Sequence, residues 1–320
     1  MEAATQQTRQ PAPLKANLAT SWFKMRKAWQ LYVLLALPVI YIIVFKYVPM
    51  YGGQIAFRDY IVTKGIWGSQ WVGFKHFNRF FHSYEFGRLM GNTLLLSFYS
   101  IVAGFPFPIL LALSLNSVQK QWFKKSVQMI TYAPHFISVV VMVGIILEML
   151  DTRHGIVNIL MKSIGMTPIN FMGRPEFFKS IFVWSGIWQS VGFNCIIFLA
   201  ALSSIDPSLH EAAVMDGASK MRRIWHIDLP GIMPVTMILL ILNTGYILDI
   251  GFEKVILMQN PLNLRTSEII DTYVYKVGLV SQAMNYSYSA AIGLFKSVIG
   301  LLLLYLVNKI AQKTNQASLW

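Results

Sequence analysis

Polar side chains that could bind a solute lie inside otherwise apolar stretches of this sequence. In "LNTGYILDIGFEK", the residues Asn243, Tyr246, Asp249 and Glu253 are spaced for one side of a helix. At 100° per residue they fall within about 120° of each other. Polar groups are costly inside an apolar helix, and they usually face a partner helix or a cavity. The segment therefore predicts either a hydrogen-bonding seam between helices or the lining of a path for a solute.

A second apolar stretch carries polar and aromatic residues at close spacing. They are Trp184, Trp188, Gln189, Ser190, Phe193 and Asn194. Aromatic rings that stack, beside amides and hydroxyls that donate and accept hydrogen bonds, can bind a polar ring compound. This stretch is the second candidate wall of a binding path.

Patterns typical of enzymes are missing. The sequence has no G-x-x-x-x-G-K-[ST] phosphate loop and no G-x-S-x-G elbow, so neither ATP hydrolysis nor acyl transfer is expected of this chain. Its six histidines are scattered, with no pair at H-E-x-x-H spacing. The single cysteine, Cys195, lies in an apolar run and is expected to be a small buried hydrophobe. We predict no catalytic residue, no metal site and no cofactor in this chain.

Composition indicates a membrane protein. Of 320 residues, 55% are hydrophobic and only 13% are charged, and mean hydropathy is +0.51. A soluble domain carries about twice that charged fraction. The net charge of +13 sits mostly between apolar blocks, where basic residues anchor loops to lipid and set topology. Membrane lipid is therefore an expected partner, and nucleic acid is not.

The apolar blocks predict an all-α integral membrane protein with six transmembrane helices. Blocks of about 20 residues are long enough to cross a bilayer as helices. We place them at about 31–51, 89–116, 127–150, 180–203, 233–255 and 288–310. The predicted organisation is a tail (1–28), a six-helix domain (29–311) and a second tail (312–320). An even number of spans puts both termini on one side, and compact basic clusters there favour the cytoplasm.

The segment at about 204–232, between the fourth and fifth predicted spans, is charged. Asp206-Pro207 is a helix start, since Asp caps and Pro suits the first helical position. Asp216-Gly217 is a turn signal. Leu229-Pro230 is expected to end a second helix. We predict a helix-turn-helix elbow at the membrane surface. A generic amphipathic interfacial loop is the plainer interpretation.

The spacing in this elbow carries a family resemblance. Glu211-Ala212-Ala213, Gly217, Ile227 and Leu229-Pro230 follow one another at fixed intervals. This pattern resembles the signature loop of permease subunits in binding-protein-dependent ABC importers. "YAPHFISVVV" (132–141) resembles the branch of the maltose-importer family that handles oligosaccharides and polysaccharides, and the whole sequence is similar to alginate-importer permeases.

The resemblance implies a coupling role for the elbow. In such importers this loop docks in a groove of a separate cytoplasmic ATPase and converts its closure into movement of the spans. It implies that Glu211 faces a basic residue of the ATPase. It also implies that the small side chains of Ala212, Ala213 and Ala218 let the helix fit closely in the groove of the ATPase. The implied coupling residues are Glu211, Ala212, Ala213, Asp216, Gly217, Ala218, Ile227, Leu229 and Pro230.

The resemblance also implies the partners and the location. The chain would lie in the bacterial cytoplasmic (inner) membrane, crossing it several times with both termini in the cytoplasm. It would pair with a homologous second permease, a different chain, and with two ATPase subunits that carry ATP and Mg. An extracytoplasmic binding protein would deliver a saccharide, contacting the segments 52–88, 151–179 and 256–287.

Relatives of the maltose importer hold the sugar on the spans flanking the coupling loop. Counting outward from that loop places Gln189, Ser190, Phe193, Tyr246 and Asp249 near those positions. With Asn194, Asn243 and Lys296 they form the predicted substrate path. Lys296 has two interpretations: it snorkels or pairs with a carboxylate such as Asp249 or Glu148, or it helps an anionic sugar to pass.

Two other classes of function remain open from the sequence. An ATP-independent carrier or channel would use the polar span residues and keep the elbow only as an anchor. A membrane scaffold would use the polar stripe at 243–253 as a subunit interface. Binding of an ATPase distinguishes the first of these from an importer permease.

Overall fold

A computed structural model describes residues 26–245, 247–282 and 284–313. The predicted tails therefore lie largely outside the described residues, and so does Tyr246. The chain divides into two compact units, residues 1–54 and 55–320.

The first long helix, α1 (Trp29–Phe57), corresponds to the first predicted span. It is α-helical over Trp29–Ile42, passes through a wide π turn at Ile43–Tyr47 and a short piece at Val48–Met50, and ends as a tight 3₁₀ helix at Tyr51–Phe57.

Four further helices are long and apolar enough to cross a bilayer. These are α3 (Glu85–Asn116), α7 (Pro175–Ser203), α9 (Lys220–Gly245) and α13 (Tyr286–Lys313). Helix α3 consists of the segments Glu85–Gly104 and Pro106–Asn116. Many of their apolar side chains are exposed, as a lipid-facing surface requires.

The third predicted span, 127–150, is not one straight helix. Helix α4 (Gln121–Tyr132) continues into a 3₁₀ turn at Ala133–Phe136, and α5 (Val139–Met149) leaves at 101° to it. The break lies at Ser138, whose hydroxyl accepts a hydrogen bond from the Val141 backbone N–H and so caps α5. The described residues thus contain five helices long and apolar enough to be spans, or six if this bent pair counts as one span.

The fifth predicted span, 233–255, is wrong at both ends. Helix α9 begins at Lys220 and runs through Leu229-Pro230, so that dipeptide does not end a helix. A π turn at Ile224–Asp228, with the Leu229 N–H bonded to the Ile224 carbonyl, widens the helix just before the proline. At the other end, α9 stops at Gly245, and a new helix, α10 (Phe252–Met258), starts after Gly251 at φ +90°.

Helix α7 packs against several other spans. A Cβ added at Gly192 would lie 2.1 Å from the Thr131 carbonyl oxygen. Only glycine therefore allows the backbones of α7 and α4 to approach this closely. Buried apolar side chains of α7, including Phe182 and Phe198, belong to two core clusters that join it to α3, α5, α9 and α10.

Short elements connect the spans. Strands β1 (Arg58–Asp59) and β2 (Gln70–Trp71) form an antiparallel pair in which Arg58 faces Trp71. The short helices are α2 (Lys75–Phe81), α6 (Ile156–Ser163), α8 (Pro207–Met215), α11 (Leu264–Ser267) and α12 (Ile270–Tyr275), and single turns occupy Val62–Lys64 and Gly65–Gly68. A π turn at Lys276–Val280 follows α12.

An ion-pair cluster fixes the segment after α10 onto α3. Arg88 pairs with Glu85 and with Glu268, whose other oxygen lies 2.8 Å from the Lys276 Nζ. The Asn92 side-chain amide also donates to the Glu268 carbonyl at 3.0 Å. These contacts hold the segment that carries α11 and α12 in one position against the spans.

Candidate functional site

The elbow at 206–230 begins with a capped helix. The Asp206 carboxylate accepts a hydrogen bond of 2.9 Å from the Ser208 backbone N–H, and Pro207 occupies the first position of α8. That hydrogen bond holds the pKa of Asp206 below its ordinary value. The predicted helix start at Asp206-Pro207 is confirmed.

The turn that follows α8 depends on Gly217. Its φ is +74°, a conformation that side chains with a Cβ rarely adopt. The Ala218 N–H donates to the Ala213 carbonyl at 2.8 Å, and the Gly217 N–H donates to Val214 at 3.0 Å. These two bonds form a Schellman motif, which satisfies the last carbonyls of α8. The predicted turn at Asp216-Gly217 is therefore present.

The coupling residues differ in exposure. Glu211, Ala212, Asp216, Gly217 and Pro230 are exposed. Half-buried positions are occupied by Ala213, Ala218, Ile227 and Leu229, and Leu229 packs against a buried cluster of α3, α7 and α9.

The exposed side of the elbow also carries apolar side chains. The largest exposed fraction belongs to Met215, at 87%, and the side chains of Leu209 and Val214 on α8 are more than half exposed. An apolar surface beside an acidic residue can dock on another protein.

The elbow is tied directly to two spans. The Lys220 ammonium donates to the Ser117 carbonyl at 2.7 Å, just past the end of α3. A Cβ at Gly231 would lie 2.5 Å from Ile205, so the middle of α9 packs closely on the segment after α7. Because α9 is one helix from Lys220 to Gly245, displacement at the elbow would move its far end too.

A cavity of about 490 Å³ lies at that far end, between α3, α7, α9 and α10. Its polar lining comes from all four elements and from the segment between α9 and α10. The polar or charged residues are Ser97, Ser100, Gln189, Ser190, Asn194, Asn243, Asp249 and Lys254. The lining thus combines hydroxyls, amides and one charge of each sign.

Five predicted path residues are brought together here: Gln189, Ser190, Asn194, Asn243 and Asp249. The Gln189 amide N–H donates to the Ile137 carbonyl at 2.9 Å, at the break between α4 and α5. The Asn243 amide N–H donates to the Leu239 carbonyl at 2.9 Å, four residues earlier on α9.

The proposed single helical face at 243–253 is wrong, because α9 ends at Gly245 and Asp249 lies in the irregular segment that follows. Asn243 and Asp249 nevertheless line one cavity, while Glu253 does not line it. The fold brings the first two together without a continuous helix.

Two predicted path residues lie elsewhere. Phe193 is not part of the lining; its ring stacks on the His135 ring, with centroids 3.9 Å apart and an interplanar angle of 3°. Lys296 lies outside this cavity and pairs with Asp271 at 2.6 Å and with Asp249 at 3.7 Å. The pairing interpretation of Lys296 is therefore favoured, although the main partner is not one that the sequence suggested.

The structure adds three cavity residues that sequence reasoning missed: Ser97, Ser100 and Lys254. Ser97 donates to the Thr93 carbonyl at 2.8 Å and also to Ile247, while the Ser100 hydroxyl is buried without a partner. In the sequence, Lys254 follows Glu253 and precedes the apolar run 255–258. A lone lysine beside an apolar run is equally typical of a residue that anchors a span to lipid, so the sequence carries no distinct signal for it.

The chain matches the family model of the binding-protein-dependent transport system inner membrane component over residues 104–316. The match includes the elbow and most of the polar cavity lining. The chain belongs to this family. It is a multi-pass inner membrane component, in agreement with the spans described above.

Relatives of this inner membrane component match nearly its whole length. Protein LplB of Bacillus subtilis (strain 168) is 43% identical over 309 residues, 96% of each chain. The polygalacturonan/rhamnogalacturonan transport system permease protein YteP of the same organism is 44% identical over 290 residues, 91% of this chain and 90% of YteP.

Solved structures agree with the fold of the inner membrane component. A chain of a bacterial ABC transporter involved in the import of the acidic polysaccharide alginate matches with a TM-score of 0.84 and 38% identity, over 92% of this chain and 99% of the other. A chain of a bacterial alginate ABC transporter in complex with an alginate pentasaccharide-bound periplasmic protein matches with the same score and identity.

Proposed function

We propose that this chain forms part of the path by which an acidic oligosaccharide or polysaccharide, such as alginate, enters the cell through an ATP-driven importer. The chain is a permease subunit of a sugar ABC importer. The observation that carries the proposal is the polar cavity of about 490 Å³ that α3, α7, α9 and α10 line. Hydroxyls and amides on its walls suit the many hydroxyls of a sugar.

The names of relatives support a saccharide and favour an acidic one. YteP is a polygalacturonan/rhamnogalacturonan permease, and AraP, 30% identical over 63% of this chain, is an arabinooligosaccharide permease. The two structural neighbours are alginate importers. Polygalacturonan and alginate carry carboxylates, and arabinooligosaccharides do not.

We propose the remaining partners from the family. A homologous second permease, a different chain, would complete the path, and two ATPase subunits would carry ATP and Mg, with no cofactor in this chain. A binding protein, as in the alginate complex, would deliver the saccharide to the segments 52–88, 151–179 and 256–287. Both termini would then be cytoplasmic, on the side of the elbow.

The elbow is the proposed contact with the ATPase. Glu211 supplies a negative charge, and the exposed side chains of Met215 and Val214 supply apolar area. All three lie on α8, which is capped at its start and ends in the turn at Gly217. The geometry supports transmission to the path, because α9 joins the elbow to Asn243 in the cavity wall without a break. The hydrogen bond from Lys220 to Ser117 links the elbow to α3, which lines the same cavity.

The test uses the assembled complex in liposomes with its binding protein. ATP hydrolysis is measured with and without an acidic oligosaccharide, for the wild-type chain and Gly217→Pro. Proline is fixed near φ −65° and cannot adopt the +74° of this turn. We expect stimulation in the wild type and none in the variant, with the complex still assembled. Equal stimulation in both would mean that this turn is not needed for coupling. No stimulation in the wild type would favour an ATP-independent carrier.

A further inference from the structure

One cation in the cavity wall has no part in the function proposed so far. Lys254 is 8% exposed and lines the cavity from α10. Gly251, at φ +90°, starts this helix. The Lys254 Nζ donates to the Phe182 carbonyl at 2.9 Å and lies 4.7 Å from the centroid of the Phe182 ring. An ammonium has three N–H donors, and this carbonyl uses one of them.

Lys254 has no carboxylate partner among the described residues. None of their ion pairs includes it, and the one carboxylate of the cavity wall, Asp249, lies 3.7 Å from Lys296 instead. A buried ammonium without a counter-charge is unfavourable. The free N–H donors of Lys254 therefore lie beside a cavity that can admit an anion.

We propose that Lys254 binds a carboxylate of the saccharide as it passes through the cavity, and so makes this path selective for acidic sugars. The proposal rests on the proposed function, that the cavity is part of a sugar path. The two free N–H donors of the ammonium can each bond to one oxygen of a carboxylate. Both groups are charged, and a hydrogen bond between charged groups is stronger than one between neutral groups. Ser100, whose hydroxyl is buried without a partner, would supply a neutral hydrogen bond to the same sugar.

The environment of Lys254 also allows the sugar to leave. A transport site must bind its substrate without trapping it. When a carboxylate departs, the ammonium keeps its hydrogen bond to the Phe182 carbonyl and its contact with the Phe182 ring. A neutral sugar can accept hydrogen bonds from the ammonium through its hydroxyl or ester oxygens, but it brings no counter-charge. That missing charge is the physical basis of discrimination.

The test compares trigalacturonate with its neutral trimethyl ester in liposomes that contain the full complex and loaded binding protein. Lys254→Gln keeps a donor for the Phe182 carbonyl and loses the charge. We expect it to lower the ratio of acid to ester uptake about tenfold or more. ATP hydrolysis stimulated by loaded binding protein is recorded in the same samples, so that uptake of each saccharide is compared per ATP hydrolysed. Lys254→Arg, which keeps the charge, is expected to keep most of the ratio.

The control variant is Lys125→Met, which removes one charge from an exposed position on α4 and is expected to leave the ratio unchanged. An unchanged ratio in Lys254→Gln, or equal losses for acid and ester, would overturn the proposal and assign Lys254 a structural role. The proposal would also be overturned if the wild-type complex imported the ester but not the acid. Failure of the proposed function looks different: the wild-type complex would then import neither saccharide when ATP is added.

A second variant covers the case in which Lys254→Gln does not assemble. A Cβ at Gly186 would lie 3.3 Å from the Lys254 Nζ, whereas a Cβ at Gly144 meets nothing within 4 Å. Gly186→Ala is expected to displace the ammonium and raise the KM for the acid without changing uptake of the ester, and Gly144→Ala is its control. Identical acid KM values for these two variants and wild type would overturn the proposal.

Discussion

Lys296 and Asp271 form a bidentate ion pair, with the lysine Nζ 2.6 and 2.7 Å from the two carboxylate oxygens. The pair joins α13 to α12, and Asp249 approaches the same ammonium at 3.7 Å. Both side chains of the main pair are about four-fifths buried. The ion pair therefore fixes a span against the segment that follows α10, close to the cavity wall.

Breaking this pair is expected to destabilise the fold without changing selectivity. Lys296→Met leaves Asp271 buried and without its main partner, at a cost of about 3 kcal/mol. Thermal unfolding of the purified complex measures this loss. Asp271→Leu combined with Lys296→Met is expected to recover much of the Tm, because no buried charge is then left unpaired. Asp249 also loses its contact with Lys296, but its side chain is 62% exposed. A wild-type Tm for Lys296→Met, or a loss of acidic-sugar uptake alone, would contradict the structural role.

Gly192 is expected to tolerate no side chain. The Cβ of Gly192→Ala would lie 2.1 Å from the Thr131 carbonyl oxygen, so α7 and α4 must separate. Overpacking of this kind costs about 1–3 kcal/mol. Gly144→Ala, in an open position on α5, is the matched control and should be neutral or stabilising by up to about 1 kcal/mol. Tm values of the two purified variants make the comparison, and equal values would contradict the close approach.

The backbone conformation of Gly217 is expected to matter more than its size. Gly217→Asn can adopt φ +74°, whereas the β-branched side chain of Gly217→Val is strained there. We expect Gly217→Asn to keep most of the ATPase stimulation. In Gly217→Val the stimulation is expected to fall about tenfold or more, because a β-branched residue at this positive φ destabilises the turn by about 1–2 kcal/mol. Titration of ATP hydrolysis with loaded binding protein provides the measurement. Equal activity of the two variants would mean that the Schellman turn is not needed for coupling.

Met215 is expected to contribute to ATPase binding. Its side chain is 87% exposed on α8, so its removal should leave the chain as stable as before. An apolar anchor at an interface contributes about 1–2 kcal/mol, which is roughly tenfold or more in Kd. Met215→Ser should weaken binding of the ATPase to the purified permease by that factor. Met166→Ser, an exposed methionine on the segment after α6, is the control and should bind normally.

Much of the fold could be predicted because membrane spans and turns are local signals. The long apolar runs determine α1, α3, α7 and α13, since each satisfies its own backbone hydrogen bonds in lipid. The Asp206 cap and the Gly217 turn need only neighbouring backbone groups. These features require no knowledge of what packs nearby.

The breaks in helices were harder to predict. Pro230 was expected to end a helix, yet the π turn before it lets α9 continue. The apolar run after Gly245 was expected to extend the span, yet the chain turns at Gly251 into α10. A proline or glycine signals that the backbone can change direction, and tertiary packing decides whether it does.

The sequence by itself determined the number and approximate location of the apolar segments, the elbow and the types of polar residue available for a path. Only the tertiary structure decided which of these residues meet. It placed Lys254 and Asn194 in the lining of one cavity, set Phe193 against His135 outside that lining, and paired Lys296 with Asp271. Such contacts join residues far apart in the chain, so their partners depend on how helices pack and where they break, which no local pattern encodes.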